Sequence, residues 1–299
     1  MNKIVRKLTT KPVWWLETRR PYPIRDAWKC LPPIETHNGP VPFAILTTPR
    51  TFNDALWTAW SWLRFLRNAV RLEIYVDGSL TEEMRESLGK LLPGSNLFEA
   101  TPAIMAEGGY PQHVQSFITD NMTGRKLGLL LALSQRGRFL FSDPDILAFA
   151  KPTELLDLLP SSKTGAYFCE ETGNNFADGV VARAAQLGIT PPESLNSGVV
   201  LVPHHSLSQE IANELLQGWQ TPPINWVIEQ TVTACLMKSA PLVPLPRDRY
   251  VVSRARQFYW EPDVDYSKIV ARHFTGTTRH VMYMKGMPWI LQNLTREKS

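Results

Sequence analysis

Short, uninterrupted apolar runs alternate along this chain with longer stretches in which apolar residues recur at helical spacing. Over 42–48, Phe43, Ala44, Ile45 and Leu46 follow one another without a polar break, as in a strand buried on both faces. Leu56, Ala59, Trp60, Leu63, Leu66 and Val70 then predict a helix over 53–70. A second strand at 72–76 ends in the turn pair Asp77-Gly78. Ser79 and Glu82 stand at capping-box spacing and predict a helix to about residue 92, followed by a short strand at 96–100. Residues 101–115 are punctuated by Gly and Pro, lack a period and read as a loop. A helix over 123–134 leads into the apolar run Phe139-Leu140-Phe141.

Beyond it the pattern predicts a short helix at 152–159, strands at Gly165–Cys169 and Leu195–Val202, and a helix capped by Ser206 and Gln209 that runs to 219. A helix follows at Trp226–Met237. Residues 242–252 are strand-like with proline breaks, 269–274 form a last strand, and 284–294 end the chain as short helix or coil. Strands alternating with helices predict an α/β fold, a mixed, mostly parallel sheet flanked by helices. Residues 1–40 differ. Their prolines (Pro12, Pro21, Pro23, Pro32, Pro33) oppose helix and central strand, so they read as an extended arm ahead of one domain over 41–299. Trp14-Trp15 beside Lys11, Arg19 and Arg20 can pack on the body or meet a membrane surface or acceptor. Packing is the reading taken.

The 43% hydrophobic and 20% charged composition supports a sizeable core. A net charge of +4 suits an anionic ligand or a light association with acidic lipid, and with no basic stripe it excludes a nucleic-acid binder. Cys30, Cys169 and Cys235 form neither a disulfide framework nor a zinc pattern, which favours a reducing compartment. No apolar run is long enough to span a membrane, and the basic N-terminus has no secretory core. The expectation is a cytoplasmic protein, at most peripheral to the inner membrane face.

Candidate chemistry starts at Asp143-Pro144-Asp145, where the Phe139–Phe141 run stops. Two carboxylates at the exit of a buried strand raise each other's pKa unless a cation lies between them. Magnesium or manganese would take such oxygens together with substrate phosphates. A type I turn with Pro144 at its second position is the plainer alternative. In parallel α/β sheets ligands sit beyond the carboxyl ends of strands. Thr47-Thr48, Asp77, Asp143/Asp145, Glu170/Glu171 and His273 all fall at such ends, which favours the metal. Arg125 and Lys126 occupy the first turn of a helix, where basic residues are disfavoured, and so point to a nearby anion.

Four segments together resemble a GT-A fold nucleotide-sugar glycosyltransferase (a nucleotide-diphospho-sugar transferase), nearest in pattern to glycosyltransferase family 8. They are Phe139-Leu140-Phe141-Ser142-Asp143-Pro144-Asp145, Leu195-Asn196-Ser197-Gly198, Glu229-Gln230, and His273-Phe274-Thr275-Gly276 with Arg279. The resemblance implies Asp143, Asp145 and His273 as ligands of Mn2+ or Mg2+, with Asp143 also near the donor ribose. It implies Arg279, where the family has lysine, and the Gly276 loop against the diphosphate. Lys126 would meet the diphosphate or sugar, Gln230 the donor sugar, Asn196 the sugar or acceptor, and Thr47, Thr48 and Asp77 the nucleobase. Glu229, Glu170 and Glu171 are the carboxylates that could serve as base in an inverting reaction. Glutamine at position 230 tilts the reading to retention. His280 stands where the family has proline, and its role is open. The implied partners are a nucleotide-sugar, UDP-linked, and a glycan, lipid-linked or small-molecule hydroxyl acceptor. A sugar-phosphate nucleotidyltransferase would need a glycine-rich turn after the first strand, and Thr47-Thr48-Pro49-Arg50-Thr51 has no glycine. A glycosyltransferase-like binding protein without catalysis is the other alternative.

Overall fold

The computed structural model describes residues 22–36, 38–169, 176–218, 226–253 and 264–296. The readings made for Trp14, Trp15 and the Glu170/Glu171 pair fall outside them. Seven strands form the main sheet: β1 (Val41–Thr47), β2 (Val70–Val76), β3 (Asn96–Glu99), β4 (Phe139–Ser142), β6 (Gly165–Cys169), β7 (Leu195–Val202) and β8 (Leu242–Pro244), in the order β3-β2-β1-β4-β7-β6-β8. Only β7 runs against the rest, antiparallel to β4 and β6. β5 (Ile146–Ala148), β9 (Tyr250–Val252) and β10 (Ala271–His273) make a small second sheet in the order β5-β10-β9.

Each central strand is buried on both faces, which is why it reads as a continuous apolar run. Along β1, Phe43 and Ile45 join the core on one face and Ala44 the core on the other. The first face carries the Phe52–Leu66 helix, with Trp57, Trp60 and Trp62 all buried. The second carries the Met122–Arg136 and Trp226–Met237 helices. The tryptophans are therefore core, and two also fasten the N-terminal segment. Trp57 Nε1 donates to Arg25 O at 3.1 Å and Trp60 Nε1 to Pro32 O at 2.8 Å.

Several local expectations are corrected. Residues 101–115 are not a loop. Helices Ala100–Ala106 and Gln112–Asp120 occupy most of it, broken by the positive-φ pair Gly108-Gly109. Pro102 lies in a first helical turn, where a missing N–H breaks no bond. The cap of the Glu82–Leu91 helix is Thr81, whose side chain accepts from Met84 N at 3.3 Å, rather than Ser79. Ser208 rather than Ser206 caps Gln209–Leu216. Residues 242–252 divide between the two sheets. The Asp178–Gln186 helix had no sequence expectation, since only Val180 and Ala184 along it are buried. Pro23–Cys30 coils as a 3-10 helix rather than lying extended. Among the described residues no helix is long and apolar enough to cross a membrane.

Candidate functional site

The carboxyl ends of β2, β1 and β4 lie side by side, and reversed β7 brings its first half to the same edge. Asp143 N donates to Gly198 O at 2.7 Å there. Past β4 the chain turns at Pro144 and returns as β5, and Thr58 Oγ1 fixes the turn by donating to Pro144 O at 2.8 Å. Turn and acidic site are thus the same structure. β5 pairs with β10 so that His273 faces Ile146, and Phe274 N donates to Asp145 O at 2.9 Å. This register, set 130 residues downstream in the sequence, delivers the imidazole to the aspartates.

His273 Nε2 lies 3.2 Å from Asp145 Oδ1 and 3.9 Å from Asp143 Oδ2. Its other nitrogen, Nδ1, is 2.9 Å from Asn196 Oδ1. That amide oxygen also accepts from Gly198 N at 3.0 Å, while Asn196 Nδ2 donates to Gln230 Oε1 at 3.3 Å. With the Asn196 oxygen so assigned, Nδ1–H donates to it and Nε2 faces the two carboxylates, where it could serve as a metal ligand. Three lone-pair ligands of Asp143, Asp145 and His273 then lie within 4.8 Å of one another. Such a convergence repels itself unless a proton or a cation sits inside it, and the Nδ1 partner is the usual orienting contact of a metal-bound histidine. The residues fit a divalent ion.

Gly198 belongs to this geometry. A Cβ there would lie 2.5 Å from His273 Nδ1, 2.6 Å from Cε1 and 2.7 Å from Asn196 Oδ1. The Asn196-Ser197-Gly198 run therefore holds the histidine from one side and makes room for it on the other.

Two cations flank the aspartates. Lys126 Nζ is 2.9 Å from Asp143 Oδ1 and 3.0 Å from Oδ2, 3.1 Å from Ser197 Oγ and 3.6 Å from Glu229 Oε2. Arg279 Nη2 donates to Asp145 Oδ2 at 2.6 Å. Burial alone would raise the Asp145 carboxyl, but Arg279 and His273 together hold it well below the usual range. Burial pushes Asp143 up, with Lys126 and His273 opposing and Asp145 adding to the rise. Burial would lower Lys126, yet Asp143 and Glu229 keep its ammonium charged. The basic first turn of the Met122–Arg136 helix does mark anions. They are the protein's own: Arg125 Nε pairs with Asp77 Oδ2 at 2.7 Å, and Lys126 with Asp143.

Glu229 is buried with both oxygens engaged. Oε1 accepts from Thr233 Oγ1 at 3.0 Å and Oε2 from Ser197 Oγ at 3.1 Å. Burial raises its carboxyl and Asp143 adds to this. Asp143, Asp145, His273, Lys126, Arg279, Asn196, Gln230 and Glu229 thus form one connected group. Thr47 and Thr48 form another with Thr51, through hydroxyl contacts of 3.0 and 2.9 Å. Gly276 opens the 3-10 turn before Arg279, with open space around it. His280 is buried. Thr58, Ser197 and Thr233 were not singled out by sequence. Thr233 stands four residues after Glu229, the spacing that puts both on one helix face.

No family model and no curated protein sequence matches this chain. Solved structures do resemble it. The bifunctional glycosyltransferase WbbM superposes with a TM-score of 0.55 at 14% identity, over 90% of this chain. This chain spans only 53% of that protein's length. Mouse xyloside xylosyltransferase 1 gives 0.52 at 15% identity, over 82% of this chain and 99% of that one. The galactosyltransferase LgtC, in complex with donor and acceptor sugar analogs, gives 0.53 at 14% identity, over 79% and 87%. At such identities the likeness is one of architecture, and on it the chain has the GT-A fold of the nucleotide-diphospho-sugar transferases.

Proposed function

We propose that this protein is a divalent-metal-dependent glycosyltransferase. It would move a sugar from a nucleotide-sugar to a hydroxyl acceptor with retention, in the manner of family 8. The observation that carries the proposal is the convergence of His273 Nε2 with the carboxylates of Asp143 and Asp145 in one small space at the carboxyl edge of a GT-A sheet. The mixed nitrogen and oxygen donors suit manganese better than magnesium. When bound, the ion supplies Lewis-acid stabilisation of the charge that grows on a departing diphosphate.

The chain's own residues do the remaining work. Arg279 uses one Nη2 contact on Asp145, and its side chain is still 31% exposed. Its guanidinium therefore has donors left for a phosphate oxygen. Lys126 brings a second fixed positive charge to the same edge. Gln230 is neutral, and Glu229 is enclosed by Ser197, Thr233 and Lys126. Neither presents an open carboxylate to an acceptor hydroxyl, which supports retention, the leaving phosphate taking the acceptor proton. Asp77, Thr47 and Thr48, at the ends of β2 and β1, are assigned to the nucleobase, and UDP-sugars are the donors proposed. The acceptor is a glycan, lipid-linked or small-molecule hydroxyl.

One observation favours a second reading, a binding protein that works without metal. Asp143 and Asp145 each already have a cation within 3 Å. Release of nucleoside diphosphate from a panel of UDP- and GDP-sugars, with and without Mn2+, separates the two. Metal-stimulated release that Asp145→Ala abolishes supports transfer chemistry. Release of equal rate in that variant would refute it.

A further inference from the structure

The Phe52–Leu66 helix is apolar on nearly every side, yet Asp54, Thr58 and Ser61 lie fully buried within it. Spacings of four and three residues put them on one face. Each holds a different part of the candidate site's frame. Ser61 Oγ accepts from Ala148 N in β5 at 3.0 Å, and Thr58 Oγ1 donates to Pro144 O between the two aspartates. Asp54 Oδ2 accepts from Tyr283 OH at 2.8 Å, and Asp54 Oδ1 from Arg25 Nε at 2.7 Å.

The Asp54 contacts reach Arg279. Tyr283 lies one helical turn after Arg279, so a bond to its hydroxyl fixes the segment that carries the guanidinium. Arg279 lies within electrostatic reach of Asp54 and Tyr283 as well as Asp145, and its positive charge opposes that of Arg25. Burial pushes the Asp54 carboxyl up, while Arg25 and Arg279 both draw it down, so Asp54 is the shared acidic partner of two arginines that repel each other. Arg25 is tied down separately. Its Nη2 donates to Arg50 O at 2.5 Å, its guanidinium lies 5.6 Å over the Tyr283 ring, and Tyr22 packs on that ring at 4.7 Å.

We propose that Asp54 is a positioning residue for Arg279, and that Arg25 and Tyr283 complete its bracket, so that the N-terminal segment is part of the anionic-ligand site. The proposal rests on the reading of Arg279 as a diphosphate contact. Its logic is charge spacing. A divalent ion beside His273 would draw on Asp145 Oδ1, so that Asp145 would divide its one negative charge between the ion and Arg279 on Oδ2. Asp54 is the carboxylate that still balances the guanidinium once Asp145 is shared, and so keeps its free donors turned to a phosphate. Without that charge Arg25 and Arg279 push apart, and the guanidinium moves off its place.

The test measures Mn2+ alone and then UDP, GDP and ADP in saturating Mn2+ by isothermal titration. It uses the wild-type chain, Asp54→Asn, Tyr283→Phe, Arg279→Met and the Asp54→Asn/Arg279→Met double variant. Asp54→Asn keeps an acceptor oxygen for Tyr283 and removes the charge together with the oxygen that accepts from Arg25 Nε. Tyr283→Phe removes only the hydroxyl and guards against misfolding of the first variant. Both should bind Mn2+ as wild type does and bind the best diphosphate about tenfold more weakly, the scale of one charge-assisted contact. In the Arg279→Met background Asp54→Asn should cost nothing further, a non-additivity that a merely structural role does not produce. Unchanged or tighter diphosphate binding in both single variants, or full additivity in the double variant, would overturn the proposal. A wild-type chain that binds neither Mn2+ nor any diphosphate would instead refute the functional reading, and this inference with it.

Discussion

Replacing Gly198 by alanine tests the histidine geometry most sharply. An ordinary van der Waals contact starts at 3.4 Å, and the new Cβ would sit 2.5 Å from His273 Nδ1 and 2.6 Å from Cε1. One of them must give by about 0.9 Å, against the roughly 0.2 Å that metal–ligand distances tolerate. The ring has little room to retreat. His273 is 5% exposed, stacks on Phe168 with ring centroids 6.4 Å apart, and sits in β10 between β5 and β9. The same methyl crowds Asn196 Oδ1 at 2.7 Å, the atom that fixes the imidazole proton. The variant should lose about 10–100-fold in Mn2+ affinity, the usual effect of disturbing an orienting contact. It should lose about 1–3 kcal/mol of stability from overpacking. Isothermal titration with Mn2+ and a urea melt measure the two. Gly124→Ala serves as the comparison, since its Cβ would meet Phe117 O between two helices at 1.8 Å. That variant should be destabilised while any folded fraction binds Mn2+ as before. Gly198→Ala binding Mn2+ within twofold of wild type would contradict a metal-bound His273.

Further outcomes follow from the same contacts. Lys126→Met leaves buried Glu229 and part-exposed Asp143 without their shared cation, and should cost about 3 kcal/mol in urea unfolding. Mn2+ should restore part of this loss, and absence of any rescue would argue against a metal at Asp143. Gly89→Ala, on an exposed helical position with nothing within 4 Å of the new methyl, should raise stability by up to about 1 kcal/mol. A native chain treated with maleimide should label first at exposed Cys30. Cys235 should stay unmodified, because burial pushes its thiol up to about 12. Rapid modification of Cys235 would contradict the packing of the Trp226–Met237 helix.

What the sequence disclosed divides along physical lines. Strands Gly165–Cys169 and Leu195–Val202 and the helix Trp226–Met237 were legible to the residue, because burial on both faces, or on most of a helix, leaves continuous apolar runs. Helices between 100 and 120 were not. Their glycines and prolines look like loop punctuation, whereas Pro102 sits in a first turn and only Gly108-Gly109 breaks the chain. Asp143, Asp145, His273 and Arg279 could be named from motifs and strand ends. Their mutual distances depend on the β5–β10 register, which no local pattern encodes. Lys126 was marked by an unfavourable helix position, and its partners proved to be Asp143 and Glu229. Glu229 was read as a candidate base and lies enclosed by hydroxyls. The buried stripe Asp54, Thr58 and Ser61 stands in the sequence as three polar residues on one face of an apolar helix, but the tryptophans dominate that pattern.

The function proposed for this site turns on whether a divalent ion enters among Asp143, Asp145 and His273. Electron paramagnetic resonance of Mn2+ titrated into the wild-type chain and into Asp145→Asn, each with and without UDP or GDP, asks this directly. The wild type should bind one ion, more tightly with the matching nucleoside diphosphate, and Asp145→Asn should lose both effects. Equal Mn2+ binding by the two proteins, or none by the wild type with any diphosphate present, would contradict the proposed function.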